Sequence, residues 1–188
     1  MQYFCSSCIY ILSDQMNKTK LLKELYEKYS GQMFAICLRY CKDRDAAQDV
    51  LHDGFIQIYN SLDKFTDRGE GSIRAWMSKV MVNNCLQSLR KKDLLKESEN
   101  IDTNYDVIGE DSFSNQEINE IPKKVLFDII ASLPVGYRTV FNLYVFEEKS
   151  HKEIAELLGI NEKSSSSQLY RAKSLISQKI KEYEKNKR

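Results

Sequence analysis

The stretch SHKEIAELLGINEKSSSSQLYRAK, Ser150 to Lys173, decides the fold class. Ser150 and Glu153 have the spacing of a capping box, in which each side chain satisfies an orphan amide of a first helical turn. Ile154, Ala155, Leu157 and Leu158 then make one short apolar face. Small Ala155 allows a close helix approach, Gly159 can end the helix in a left-handed conformation, and Asn161 can cap the next one. On that second helix Leu169, Ala172, Ile176, Ile180 and Tyr183 keep helical spacing. A short helix, a Gly-centred turn and a longer helix with polar and basic residues near its start is helix-turn-helix grammar. The second helix can present Lys163, Ser164, Ser166, Ser167 and Arg171 to base edges and phosphates. Capped helix pairs also occur in proteins that bind no DNA, so the charge around the motif has to decide between the two readings.

The overall formal charge of +1 conceals three blocks. Residues 1–92 carry 14 Lys and Arg against 10 Asp and Glu, a net +4; residues 93–120 carry one against nine, a net −8; residues 121–188 carry 13 against eight, a net +5. Basic blocks suit a polyanion, and an acidic run with weak apolar periodicity reads as a solvated linker. Few glycines, two prolines and 42% hydrophobic residues point to a soluble, helix-rich chain. The expected architecture is all-α: two small helical domains joined by an acidic flexible linker, the C-terminal one a helix-turn-helix.

Upstream of the motif, Val125, Leu126, Ile129 and Ile130 make one helical face, Pro134 interrupts, and Val140, Phe141, Tyr144 and Val145 make the next. One short helix is expected near the end of the linker. In the N-terminal half the apolar residues from Leu21 to Tyr29 and from Phe34 to Cys41 predict a helical hairpin or a kinked helix about Gly31. Asp45 is placed to cap a third helix, whose inner face is Val50, Leu51, Phe55, Ile58, Tyr59 and Leu62. Asp63 to Ser72 reads as a loop. A fourth helix follows, with Ile73, Trp76, Met77, Val80, Asn84 and Cys85 on one side and Arg74, Asn83, Gln87 and Arg90 largely on the other. Trp76 therefore reads as core rather than as a base-stacking platform.

Other chemistries find little support. Five cysteines are an odd number, and Cys37, Cys41 and Cys85 sit in apolar patterns where a thiol packs like a small hydrophobe. Cys5 and Cys8 form a CxxC with no further ligands to complete a zinc site. No P-loop, HExxH, nucleophile elbow or acid–base pair is visible, so no catalytic residue, metal or cofactor is expected. Met1 to Leu12 is too short to span a bilayer and lacks the marks of a signal peptide, which predicts a cytoplasmic protein without membrane insertion. Met16, just before the first strongly periodic segment, is a candidate start of translation.

Beyond its motif the chain resembles the extracytoplasmic-function sigma factors of bacterial RNA polymerase. The resemblance rests on LYEKY (Leu25 to Tyr29), RDAAQDVLHDGFIQIYNSLDKF (Arg44 to Phe65) and RAWMSKVMVNNCLQSLRKK (Arg74 to Lys92). It continues in SLPVGYRTVFNLYVFEEKSHKEIAELLGI (Ser132 to Ile160) and SQLYRAK (Ser167 to Lys173). It implies an N-terminal extension over 1–19, sigma domain 2 over 20–92, the linker over 93–120 and sigma domain 4 over 121–188. Asp49, Asp53 and Phe55 would dock on core RNA polymerase. The loop Thr66 to Gly71, with Arg74, Asn83, Arg90, Lys91 and Lys92, would read and melt the minus-ten element of promoter DNA. Arg138 would hold phosphate beside the minus-thirty-five element, which the second helix of the motif would read. An anti-sigma factor is implied as a further partner, and the linker is either a plain tether or a strand passing through polymerase channels. The family's Gly-Thr-Val-Lys-Ser-Arg run appears here as Lys163, Ser164, Ser165, Ser166, Ser167 and Gln168, so base preference does not transfer. His52 and Gln87 also depart from the usual glutamine and aspartate. An operator-binding regulator that works without polymerase, or a helical protein-interaction module, are the competing readings.

Overall fold

Helical periodicity runs through both basic blocks, and a computed structural model, which describes residues 6–41, 43–91 and 121–187, is helical accordingly. The chain divides into two units, Met1–Leu38 with Asp43–Leu86 and Arg39–Lys42 with Gln87–Arg188.

In the first unit, α1 (Ser6–Tyr40) is a single unbroken helix, where a hairpin or kink about Gly31 was expected. Gly31 is exposed with nothing within 4 Å of where a Cβ would stand, so its cost is only the roughly 1 kcal/mol of helix propensity. Buried Leu25, Met33 and Cys37 carry one apolar stripe across it and hold the helix straight through. The next helix, α2 (Arg44–Ser61), is capped by Asp43, whose carboxylate accepts from the Ala46 amide at 2.7 Å. Asp45, the expected cap, lies instead in the first turn, where a negative charge meets the positive helix end.

A short 3-10 turn (Leu62–Lys64) leads into the Gly-rich loop and then α3 (Ser72–Lys91). Val50, Leu51, Phe55 and Ile58 of α2 and Met77, Met81, Cys85 and Leu86 of α3 are all buried. Gly54 lets α2 come close to α3, since a Cβ there would run into the Met81 side chain. Trp76 is half-buried, its ring centroid 5.2 Å from that of Phe65, in keeping with a packing role.

In the second unit, α4 (Lys123–Ala131) and α5 (Val135–Val145) each follow a proline, Pro122 and Pro134, whose fixed φ suits a helix start. The motif helices are α6 (His151–Leu158) and α7 (Glu162–Lys187). The long α7 organises this unit. Ala172 and Leu175 pack with Leu133 and Tyr137, Ile180 packs with Ile121 and Ile129, and half-buried Ile176 touches both clusters. The short helix expected near the end of the linker falls outside the described residues.

Candidate polymerase and nucleic-acid interfaces

On α2, helical geometry sets Asp49 and Asp53 one turn apart, and both are exposed. Ile56 continues their face at 59% exposure, a large apolar group left in water among acids. Phe55 points the other way. It is buried, with its ring centroid 4.7 Å from that of Tyr26. The same periodicity that put Phe55 on the inner face of α2 therefore holds, and Phe55 supports the acidic face from behind.

The loop before α3 is built by Asp67. Its carboxylate accepts from the Ser72 hydroxyl at 2.6 Å and from the Gly69 amide at 3.0 Å, and the Arg68 amide donates to Ser72 Oγ at 3.2 Å. The Ser72 hydrogen bond, then that from Gly69, lowers the Asp67 pKa below its ordinary value. Gly69 and Gly71 both take positive φ. Beyond the loop Arg74, Asn83, Arg90 and Lys91 are exposed along α3, and Lys92 lies outside the described residues. Arg90 also donates to the Leu157 carbonyl within the second unit. Asn84, next to Asn83, is buried and donates to the Val50 carbonyl of α2 at 2.9 Å.

The helix-turn-helix is held by local hydrogen bonds that its sequence announces. Ser150 accepts from the Glu153 amide while Glu153 accepts from the Ser150 amide, completing the capping box. Hydrogen bonds from Lys149, then from Ser150, lower the Glu153 pKa to about 2. Gly159 ends α6 at φ 72° and ψ 30°, in the left-handed region. Asn161 caps α7, its side chain accepting from the Ser164 amide at 2.7 Å.

Lys163, Ser166 and Ser167 at the start of α7 are exposed and Ser164 is half-buried. The Ser167 hydroxyl donates to the Ser164 carbonyl at 3.1 Å, and half-buried Arg171 donates to the Tyr137 hydroxyl at 3.2 Å. Arg138 lies elsewhere than a phosphate contact requires. It is 1% exposed, and its guanidinium donates to the carbonyls of Ala131 at 2.6 Å and Tyr40 at 3.0 Å. Burial lowers its pKa from the usual guanidinium value. Sequence reasoning passed over Ser165, which is fully buried and sits 3.0 Å from His151 Nδ1. Its signal was visible: a serine stands where the resemblance has a valine, so a core position had to find a polar partner.

Two family models match, in the order of the two basic blocks: Sigma-70 region 2 over residues 25–94 and Sigma-70, region 4 over residues 124–176. The chain belongs to the extracytoplasmic-function sigma factors. As a sigma factor it is a transcription initiation factor. It is 27% identical over 174 residues to the ECF RNA polymerase sigma-E factor of Haemophilus influenzae, spanning 88% of this chain and 90% of that one. It is 24% identical over 155 residues to the ECF RNA polymerase sigma factor SigM of Bacillus subtilis, spanning 81% and 90%. Among solved structures it is similar to the sigma factor RpoE from Bartonella quintana, determined in complex with the anti-sigma factor NepR. That match has a TM-score of 0.49 and 16% identity, and covers 86% of this chain and 98% of the other. No described helix of this sigma factor is long and apolar enough to cross a membrane.

Proposed function

We propose that this sigma factor binds core RNA polymerase through α2 and directs it to promoters whose minus-ten element is read and melted by the loop at Thr66–Gly71 with α3, and whose minus-thirty-five element is read by α7. The observation that carries the reading is the pairing, in the first unit, of exposed Asp49 and Asp53 on α2 with exposed Arg74 and Asn83 on α3. One face suits a basic protein surface, the other a polyanion. In this scheme residues 20–92 act as sigma domain 2, 93–120 as the linker and 121–188 as sigma domain 4.

Asp49 and Asp53 make the charged contacts with polymerase, and Ile56 rather than buried Phe55 supplies the apolar one. Arg74, Asn83, Arg90, Lys91 and Lys92 contact the minus-ten region. Lys163, Ser166 and Ser167 contact the minus-thirty-five element directly. Ser164, half-buried, and Arg171, tied to Tyr137, back them. Arg138, engaged inside the fold, fixes the end of α4 by holding the Ala131 carbonyl. The protein does its work by binding and positioning, not as an enzyme, in the cytoplasm where polymerase resides. A protein that sequesters it, of the anti-sigma kind, is a further expected partner.

Binding of purified core polymerase to the labelled chain tests the assignment of α2. The double variant Asp49→Arg, Asp53→Arg keeps its fold and binds about tenfold or more weaker, because like charges then face each other. Undiminished binding of that variant would contradict the reading.

A further inference from the structure

The two helices assigned to polymerase and to DNA are tied by one buried amide. Their close approach at Gly54 and Met81 brings Asn84 of α3 against α2. Asn84 is 6% exposed; its Nδ2 donates to the Val50 carbonyl at 2.9 Å, and its Oδ1 accepts from Gln57 Nε2 at 3.1 Å. An amide in this place is a poor choice for stability alone, since an apolar side chain of the same size would pack as well. What it adds is register. The bond from Asn84 to the fixed Val50 carbonyl, with Gln57 closing on the other end of the amide, favours one rotation and axial setting of α3 against α2, as a single buried asparagine favours one register in a coiled coil.

The positions of its neighbours give that lock a consequence. Gln57 is exposed one turn along from Asp53 and beside Ile56, at the edge of the acidic face. Asn83, exposed, precedes Asn84 in the chain and lies on the DNA-reading face. We propose that Asn84 and Gln57 are a positioning pair that carries the placement of α2 on polymerase to the minus-ten contacts of α3. The proposal rests on the assignment of α2 and α3 made above. Neither residue touches a base in this scheme; they set where Asn83 and Arg74 stand once α2 is docked.

The test uses the whole chain with core polymerase and a fluorescent single-stranded oligonucleotide. The oligonucleotide carries the non-template minus-ten sequence of a promoter mapped by run-off transcription. Gln57→Met keeps the side-chain length and removes the donor at an exposed position; the thermal midpoint is unchanged and, with core polymerase saturating so that docking is complete for both proteins, capture of the strand weakens about fivefold, the scale of one net hydrogen bond. In an Asn84→Leu background the same substitution adds nothing further, because the partner through which Gln57 acts is gone. Full strand capture by Gln57→Met, or losses that simply add in the double variant, would overturn the proposal. Asp53→Arg, run alongside, separates this from the underlying assignment. Core affinity lost in Asp53→Arg with strand capture intact in Gln57→Met sinks the positioning pair alone, whereas core affinity kept in Asp53→Arg sinks the docking role of α2 and the proposal with it.

Discussion

Glu153 shows how much a single side chain in this protein can be asked to do. It closes the capping box of α6 and holds Lys149, with Nζ 2.9 Å from its carboxylate. Its folded pKa of about 2 lies below the ordinary 4.5, so the charged form contributes stability that is fully present above about 4.5 and is lost as pH falls through about 2. The expected outcome is that the gap between the urea midpoints of wild type and Glu153→Gln is constant from neutral pH to near 5 and closes below it. A gap that widens on acidification would contradict this account of the cap. At the start of α7, exposed Lys163 is assigned to phosphate. Lys163→Ala should weaken promoter binding about equally across sequences and reduce the slope of log affinity against log salt by about one. A change confined to one base position would mark a base contact instead. The capping role of Glu153 and the exposure of Lys163 were legible in the sequence because capping and surface charge depend on near neighbours. Arg138 was not. The resemblance implies phosphate, and only the fold reveals backbone carbonyls waiting at the positions its guanidinium reaches.

The elements themselves were read well where periodicity and local breakers agree. α6, its glycine and α7 follow directly from spacing and capping residues, and Gly159 was identified because only a left-handed residue ends that helix. Gly159→Ala forces a Cβ into φ 72° and should cost the second unit about 1–2 kcal/mol, with Gly159→Asn milder; equilibrium unfolding measures both. Gly31 misled for the opposite reason. A glycine inside a helix is a weak breaker, and the apolar stripe of α1 on either side of it outweighs its propensity. Long-range packing supplies what spacing leaves open in α7, the partners of its last turns. Ile180 lies far beyond the motif yet is 1% exposed against Ile121 and Ile129. Ile180→Ala should therefore destabilise this unit by about 2–5 kcal/mol, whereas a surface change such as Lys185→Ala near the end of the same helix should be near neutral. Comparable midpoints for the two variants would mean that the last turns of α7 are not part of the core. The Asn84 lock lay equally out of reach of sequence reading, because periodicity put Asn84 on the inner side of its helix without saying which backbone group would receive it.

At the scale of the chain, the alternation of basic, acidic and basic blocks was the strongest signal for function, and it needed no structure. It states what kind of partner each block tolerates: phosphate for the outer two, and for the middle one water or a basic surface. What charge cannot supply is the division of labour within the first unit, where α2 turns acids outward and α3 turns amides and cations outward on the same small core. Under the proposed assignment that division separates a sigma factor from an operator-binding regulator that works without polymerase, which would have no use for an acidic docking face. The measurement that bears on it most directly is reconstituted transcription, with purified chain and core RNA polymerase on genomic promoter fragments in moderate salt. Initiation at defined sites by the pair, and by neither component alone, is the predicted result; tight binding to duplex DNA with no binding to polymerase and no initiation would contradict it.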